Sequence, residues 1–410
     1  MLGVPIIQQY LLGFRLCSDH DPFSTQLLTV PDLPTSVFHA PNSQIVRSPS
    51  IAILMRKQSA MILLKEWRHL AEEDRLLIEK LPKAEQHIHI VGSIRPETLL
   101  WLASDGNVMT PDLETSESVK ALFQYRDFSH FIDCYTIVMR CIRKEKQFER
   151  IVYEMLEDEA KQNVRYVEAS FSAPDHIRLG LDYSEMQRAI NRGIERAYFD
   201  FDIDCNLKID LVRDYGPEAG LRQLDLMSAC RERVVAIDIG GREYVSSPKH
   251  FARVYRRAKE MGFHLTAHAG EVCGPVSIWE ALRYLGVERI GHGVTARQDP
   301  ALVEYLLRKS VSIEMCPVSN LKTKVVDSIQ NHPIRDFFGK GLNVTVNSDD
   351  PTMFGTDMNN EYRTLHDELG FTLPQLFRLS LNAIESSFLP RERKDHLRNT
   401  FRSEFERLAG

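Results

Sequence analysis

A chain of 410 residues with 43% hydrophobic and 26% charged residues can bury a large core and has the balance of an ordinary globular protein, not a disordered or fibrous one. Its formal net charge of -6, with no dense Lys/Arg block, offers no electrostatic footprint for a nucleic-acid backbone and points to a small-molecule partner. No apolar run is long enough to cross a bilayer, and 7 scattered cysteines without a C-x-x-C pair read as reduced thiols of a cytoplasmic protein.

Residues 1–60 read as an irregular extension. The first 17 have no basic segment before their apolar stretch and so do not form a secretion signal, and Pro, Ser, Thr and Asp crowd 18–50 without periodicity. Met55 and Met61 both precede the first convincing helix, so either is a candidate start of the functional unit. Residues 61–410 are expected to form a single domain. The pattern WRHLAEEDRLLIEKL, from Glu66 onward, has helical spacing and is stopped by Leu81-Pro82.

Eight β-rich runs follow: 84–90, 165–171, 203–212, 234–240, 264–270, 289–293, 311–317 and 343–349. Helical stretches such as PKHFARVYRRAKEMG and DPALVEYLLRK separate most of them, which argues for a parallel sheet, and eight such units suggest a closed barrel. The predicted fold is therefore α/β, a (β/α)₈ TIM-type barrel. The long gap between the first two runs holds amphipathic segments such as ERIVYEMLEDEAKQN, so extra helices are expected after strand 1, and again at the C-terminus.

His87 and His89 stand two apart at the end of the first run, where the pleat points both imidazoles to one face. An isolated H-x-H is more often a pair of satisfied interior histidines than a metal site. However, His268 ends the fifth run, His292 the sixth and Asp349-Asp350 the eighth, and barrel strands converge on the C-terminal face where this fold keeps its active sites. Nitrogen and carboxylate ligands without thiolate suit a catalytic zinc, which lowers the pKa of a water it binds. The fourth run, VVAIDIG, has no lysine to bridge two metals, so one zinc per chain is expected.

The motifs LPKAEQHIHIVGSIRPETLL, LTAHAGEVCGP, ERIGHGV, SIEMCPVSN and VNSDDPTMFGTDMNNEY, in this order, resemble the adenosine deaminase family over nearly all of residues 81–400. The resemblance implies zinc-dependent hydrolysis of adenosine and 2′-deoxyadenosine to the inosine product and ammonia, in purine metabolism. By the same resemblance His87, His89, His268 and Asp349 are zinc ligands, Glu271 donates a proton to purine N1, and His292 orients and deprotonates the attacking water. Asp350 then contacts N7 and the Gly241 backbone contacts N3. Glu271 can serve only if protonated, whereas Asp349 must stay ionised, so their surroundings must drive the two carboxyls apart.

Two positions depart from the family pattern. Val91 stands where an acidic residue usually meets the ribose hydroxyls, and Arg242 replaces a common acidic residue after Gly241. Both are read as altering the substrate pocket, with Val91 packing against a 5′ substituent or Arg242 pairing with its charge. Alternative substrates are therefore adenine, 5′-modified adenosines such as methylthioadenosine, and aminodeoxyfutalosine; a different class of reading is an inactive zinc-binding scaffold. Glu314 reads as a strand-end carboxylate in a hydrogen-bond network, Cys273 and Cys316 as packing residues, and the basic C-terminal helices as solvated faces. The sequence leaves the oligomeric state open.

Overall fold

The computed structural model describes residues 73–409. The N-terminal extension and the first part of the helix read from Glu66 lie outside these residues; positions 73–80 are helical and the chain leaves the helix at Leu81-Pro82. Eight strands follow: β1 (Lys83–His89), β2 (Val164–Phe171), β3 (Asp204–Asp210), β4 (Val234–Asp238), β5 (His264–Ala269), β6 (Arg289–His292), β7 (Ser312–Met315) and β8 (Val344–Val346). They pair in sequence order and always in parallel. Each falls on one of the eight runs legible in the sequence, and helices surround them as a (β/α)₈ barrel requires.

The strands show why a barrel forms. In β3, Cys205, Leu207 and Ile209 alternate with Asn206, Lys208 and Asp210, and the apolar set joins the core shared with the surrounding helices. The other set includes Lys208, which is fully buried. The same holds around the ring, where Glu168 of β2, Arg289 of β6 and Glu314 of β7 are buried as well. Barrels of this type usually fill their interior with branched apolar side chains. Here a charged layer occupies that space: Arg289 pairs with Glu168 at 2.6 Å and with Glu314 at 2.6 Å, and Lys208 reaches Glu314 at 3.0 Å.

The ring closes at a narrow seam. A single bridge joins Ile88 to Asp349: His89 N–H donates to the Asp349 carbonyl at 2.7 Å, and Asp349 N–H to that of His87 at 3.0 Å. Side chains extend the seam, with Gln86 N–H on Asn347 Oδ1 at 2.9 Å and Ser348 N–H on Glu85 Oε1 at 2.5 Å.

Between β1 and β2 lie the helices Pro96–Asp105, Ser116–Leu122, Phe128–Met139 and Gln147–Lys161, which is the expected helical insertion. The helices Leu373–Ser386 and Arg391–Ala409 end the chain. The described cysteines are all free, and no helix among the described residues is long and apolar enough to cross a membrane.

Candidate active site

His87 lies within, and His89 just past, a register irregularity between Glu85 and Ile88 at the end of β1, a local re-aiming of the kind found beside active sites. Their Nε2 atoms each lie 3.4 Å from Asp349 Oδ1. Ligands about 2.1 Å from a common tetrahedral centre stand about 3.4 Å apart, so this spacing is that of one coordination shell. His268 completes the group, its ring 4.5 Å from that of His87 and 5.3 Å from that of His89. His87 Nε2 is buried without a hydrogen-bond partner, which in a folded protein calls for a ligand. No cysteine belongs to the metal-competent groupings among the described residues. The donor set fits a divalent metal favouring nitrogen and oxygen.

Two of the three rings, those of His87 and His268, are aimed by a carboxylate behind them. Glu314 Oε2 takes His87 Nδ1 at 2.8 Å, and Asp238 Oδ1 takes His268 Nδ1 at 2.9 Å together with the His268 backbone N–H at 2.9 Å. Such partners fix the tautomer and turn Nε2 toward the metal. Burial works against charge on His268, but Asp238 outweighs it and lifts the pKa to about 9, so the position favours a positive charge. Glu314 is held below the carboxylate range despite burial, first by Lys208, then by Arg289 and His87. Sequence spacing marked Glu314 only as a network carboxylate and missed Asp238; an acid ending β4 beside the His-bearing β5 was the available signal.

Glu271 and His292 stand next to this cluster, with His292 Nε2 3.7 Å from Glu271 Oε2 and 3.8 Å from Asp349 Oδ2. Burial, then the Asp349 charge, raise the Glu271 pKa well above the usual carboxyl range. Asp349 moves the other way: burial opposes its charge, but His292, His87 and His89 hold it ionised. Burial also keeps His292 neutral, and Asn320 Nδ2 faces its Nδ1 at 3.2 Å. His292 and Asp349 both adopt positive φ, 61° and 66°, a strained backbone for such residues that clusters at functional sites.

Asp350 is buried, its Oδ1 has no partner, and burial followed by the Asp349 charge raises its pKa strongly. A Cβ at Gly92 would overlap its carboxyl, so only glycine leaves that side chain room. Gly241 has φ 84° and lines the cavity. Its neighbours' N–H groups are taken, Gly240 by Asp210 and Arg242 by Asp214, which leaves the Gly241 N–H for a ligand.

The structure thus gathers His87, His89, His268, Asp349, Glu271, His292, Asp350 and Gly241 at one end of the barrel. Val91 does not join them: it is 2% exposed within the turn Val91–Ser93, packs in the core and is not among the residues lining the cavity. Arg242 does line the cavity, but its charge is already met by Asp133 at 2.7 Å and Asp214 at 3.0 Å. The cavity measures about 590 Å³. Part of its wall is the helix Phe128–Met139, which presents Phe128, Phe131, Ile132 and Tyr135. Arg140, just beyond that helix, lines the cavity with an exposed side chain that has no ion-pair partner among the described residues.

Comparison with known proteins agrees with this geometry. The family model described as adenosine deaminase matches residues 82–403. An aminodeoxyfutalosine deaminase of Streptomyces coelicolor is 37% identical over 78% of this chain and 85% of its own length. Among solved structures, an adenine deaminase of Arthrobacter aurescens superposes with a TM-score of 0.76 at 31% identity, covering 80% of this chain and 99% of its own. An amidohydrolase of Burkholderia ambifaria with bound zinc gives a TM-score of 0.76 at 28% identity, covering 82% and 94%.

Proposed function

The chain belongs to the adenosine deaminase family of enzymes, which act on adenine- and adenosine-like substrates, and from that premise we propose that it deaminates a 6-aminopurine nucleoside extended on its 5′ side. Adenosine and 2′-deoxyadenosine are the unextended nucleosides with the same reacting ring. The cavity carries this reading: at about 590 Å³ it has the volume of a drug-sized ligand site, and a free purine base would leave much of it empty. An apolar, aromatic wall suits a bulky 5′ substituent, and the unpaired Arg140 suits an acidic group on it.

In this reading zinc is the metal, held by His87, His89, His268 and Asp349, and it supplies Lewis acidity that brings the pKa of a water toward neutrality. The protein's own groups do the rest. Deamination adds a water oxygen to purine C6 and breaks the C6–N6 bond, releasing ammonia. Glu271, kept protonated, delivers a proton to N1 and draws electrons from C6. His292 Nε2 orients the incoming oxygen and accepts its proton, which is passed on to N6 so that the amino group leaves as ammonia. Asp350, kept neutral, can donate to the N7 acceptor, and the Gly241 N–H meets N3.

The test is ammonia release from adenine, adenosine, 2′-deoxyadenosine, 5′-methylthioadenosine and aminodeoxyfutalosine, with and without chelator. A kcat/KM for adenine above every nucleoside would reject the nucleoside reading. Adenosine exceeding both 5′-modified compounds by about tenfold, roughly 1.4 kcal/mol of transition-state preference, would reject the extension.

A further inference from the structure

Glu243 takes no part in the chemistry above, yet it is 4% exposed and bonded at both oxygens. Its Oε1 accepts from Gly270 N–H at 2.6 Å and Ser277 Oγ at 2.5 Å, and its Oε2 from the N–H groups of Val272 and Cys273, both at 2.8 Å. The three backbone donors belong to residues around Glu271. Gly270 has φ 71°, so this is a sharply turned loop with no regular ladder of its own to satisfy those groups. Glu243 itself sits two residues after Gly241, on the loop following β4, and Asp214 fixes the residue between them through both its backbone N–H and its guanidinium.

We propose that Glu243 is a positioning residue that holds the loop carrying the N1 proton donor, Glu271, at a fixed distance from the N3 contact, Gly241. One buried carboxylate ties the β4 loop to the β5 loop, so the two groups that grip opposite sides of C2 on the purine move as a unit. Misplacement of about 1 Å in such a constellation costs on the order of 10²-fold in rate, so a rigid tie has value even though it touches no substrate. The groups facing Glu271 agree with this placement. Burial and Asp349 raise its pKa, Glu243 adds to them, and His268 and Arg213 work against them. The inference rests on the reading of Glu271 as the N1 donor.

The experiment compares Glu243→Gln, Glu243→Asp and Ser277→Ala, with Glu271→Gln alongside, in the zinc-loaded full-length enzyme. Glu243→Gln keeps the shape but sets an NH₂ group against backbone donors on one side. It is expected to lower kcat by about ten- to hundredfold with KM within about threefold and zinc content unchanged. It should also weaken inhibition by the hydrated form of purine riboside, a transition-state analogue carrying hydrogen at N1, more than that by 1-deazaadenosine, which has no N1 to lose; a purely structural role would weaken both alike. Glu243→Asp, which keeps the charge, should restore part of kcat. Wild-type kcat in Glu243→Gln, or equal weakening of the two ligands, overturns the proposal. If Glu243→Gln fails to fold or to hold zinc, Ser277→Ala decides: a kcat lowered about threefold at unchanged KM upholds it, and wild-type kcat overturns it. Glu271→Gln separates the premises. Turnover above a tenth of wild type there removes the N1 donor itself, whereas a dead Glu271→Gln beside a fully active Glu243→Gln removes only the tie.

Discussion

Replacing Glu314 with Gln tests how far the buried charges beneath the site control the metal above it. The side chain is fully buried, and its two oxygens serve His87 Nδ1 at 2.8 Å, Lys208 at 3.0 Å and Arg289 at 2.6 Å. Loss of the charge leaves Lys208 and Arg289 with Asp238 and Glu168 as their remaining partners, at 3.8 Å and 2.6 Å. Breaking a buried pair from one side costs about 3–5 kcal/mol. For a domain of this size that is a fall of roughly 4–7 °C in the melting temperature of the metal-free protein. The second effect is on the metal. Removing the partner that aims a ligating imidazole lowers affinity by about 10- to 100-fold, or roughly 1.4–2.7 kcal/mol. Competition with a chelator of known affinity reads this directly, and calorimetry of the stripped protein reads the first. Unchanged zinc affinity in Glu314→Gln would falsify the argument that Glu314 acts through His87.

Glu271→Gln is expected to retain zinc and lose about 10²- to 10⁴-fold in kcat; a loss under tenfold excludes the acid role. Because Glu271 works protonated and its pKa is raised, kcat/KM should fall as pH rises through that pKa, and a profile still rising there contradicts the assignment. His268→Ala or Asp349→Ala should remove metal and activity together, read by metal analysis. Gly92→Ala drives a methyl into Asp350, so it should cost more than tenfold in kcat/KM while leaving metal content intact. Arg140→Ala should lower kcat/KM about tenfold for a carboxylated substrate and leave adenosine unaffected, and deletion of residues 1–54 should leave both activities unchanged.

The barrel was legible because its strands announce themselves locally. Runs such as RYVEASF and VSIEMCP combine β-branched and aromatic residues with a polar or Gly/Pro stop, and each became a strand within a few residues. The strand-end histidines were legible for the same reason, since the fold delivers strand ends to one place. What stayed hidden depends on pairing across the ring. Nothing near Arg242 in sequence announces Asp133, 109 positions away, so a pocket cation was read where the structure has a neutralised one. Val91 was read from the resemblance to a family position, and the turn after β1 carries it into the core. Glu243 drew no reading from the sequence, because three of its partners are backbone groups, which leave no trace there.

The seam between β8 and β1 has a consequence for how the enzyme comes into being. Three of the proposed metal ligands, His87, His89 and Asp349, lie on the seam that closes the ring, where segments far apart in the chain meet, as in the contact of Ser348 with Glu85, 263 positions apart. Bringing such distant segments together costs about 5 kcal/mol in chain entropy, and the few hydrogen bonds of one bridge repay little of it. A chain still on the ribosome, synthesised past His268 but short of Asp349, lacks the seam carboxylate and has an open edge on β1. It cannot protect that edge from other nascent chains. A metal held by His87, His89 and Asp349 would act as a latch across this seam, so metal-free protein should open first here, read by hydrogen exchange.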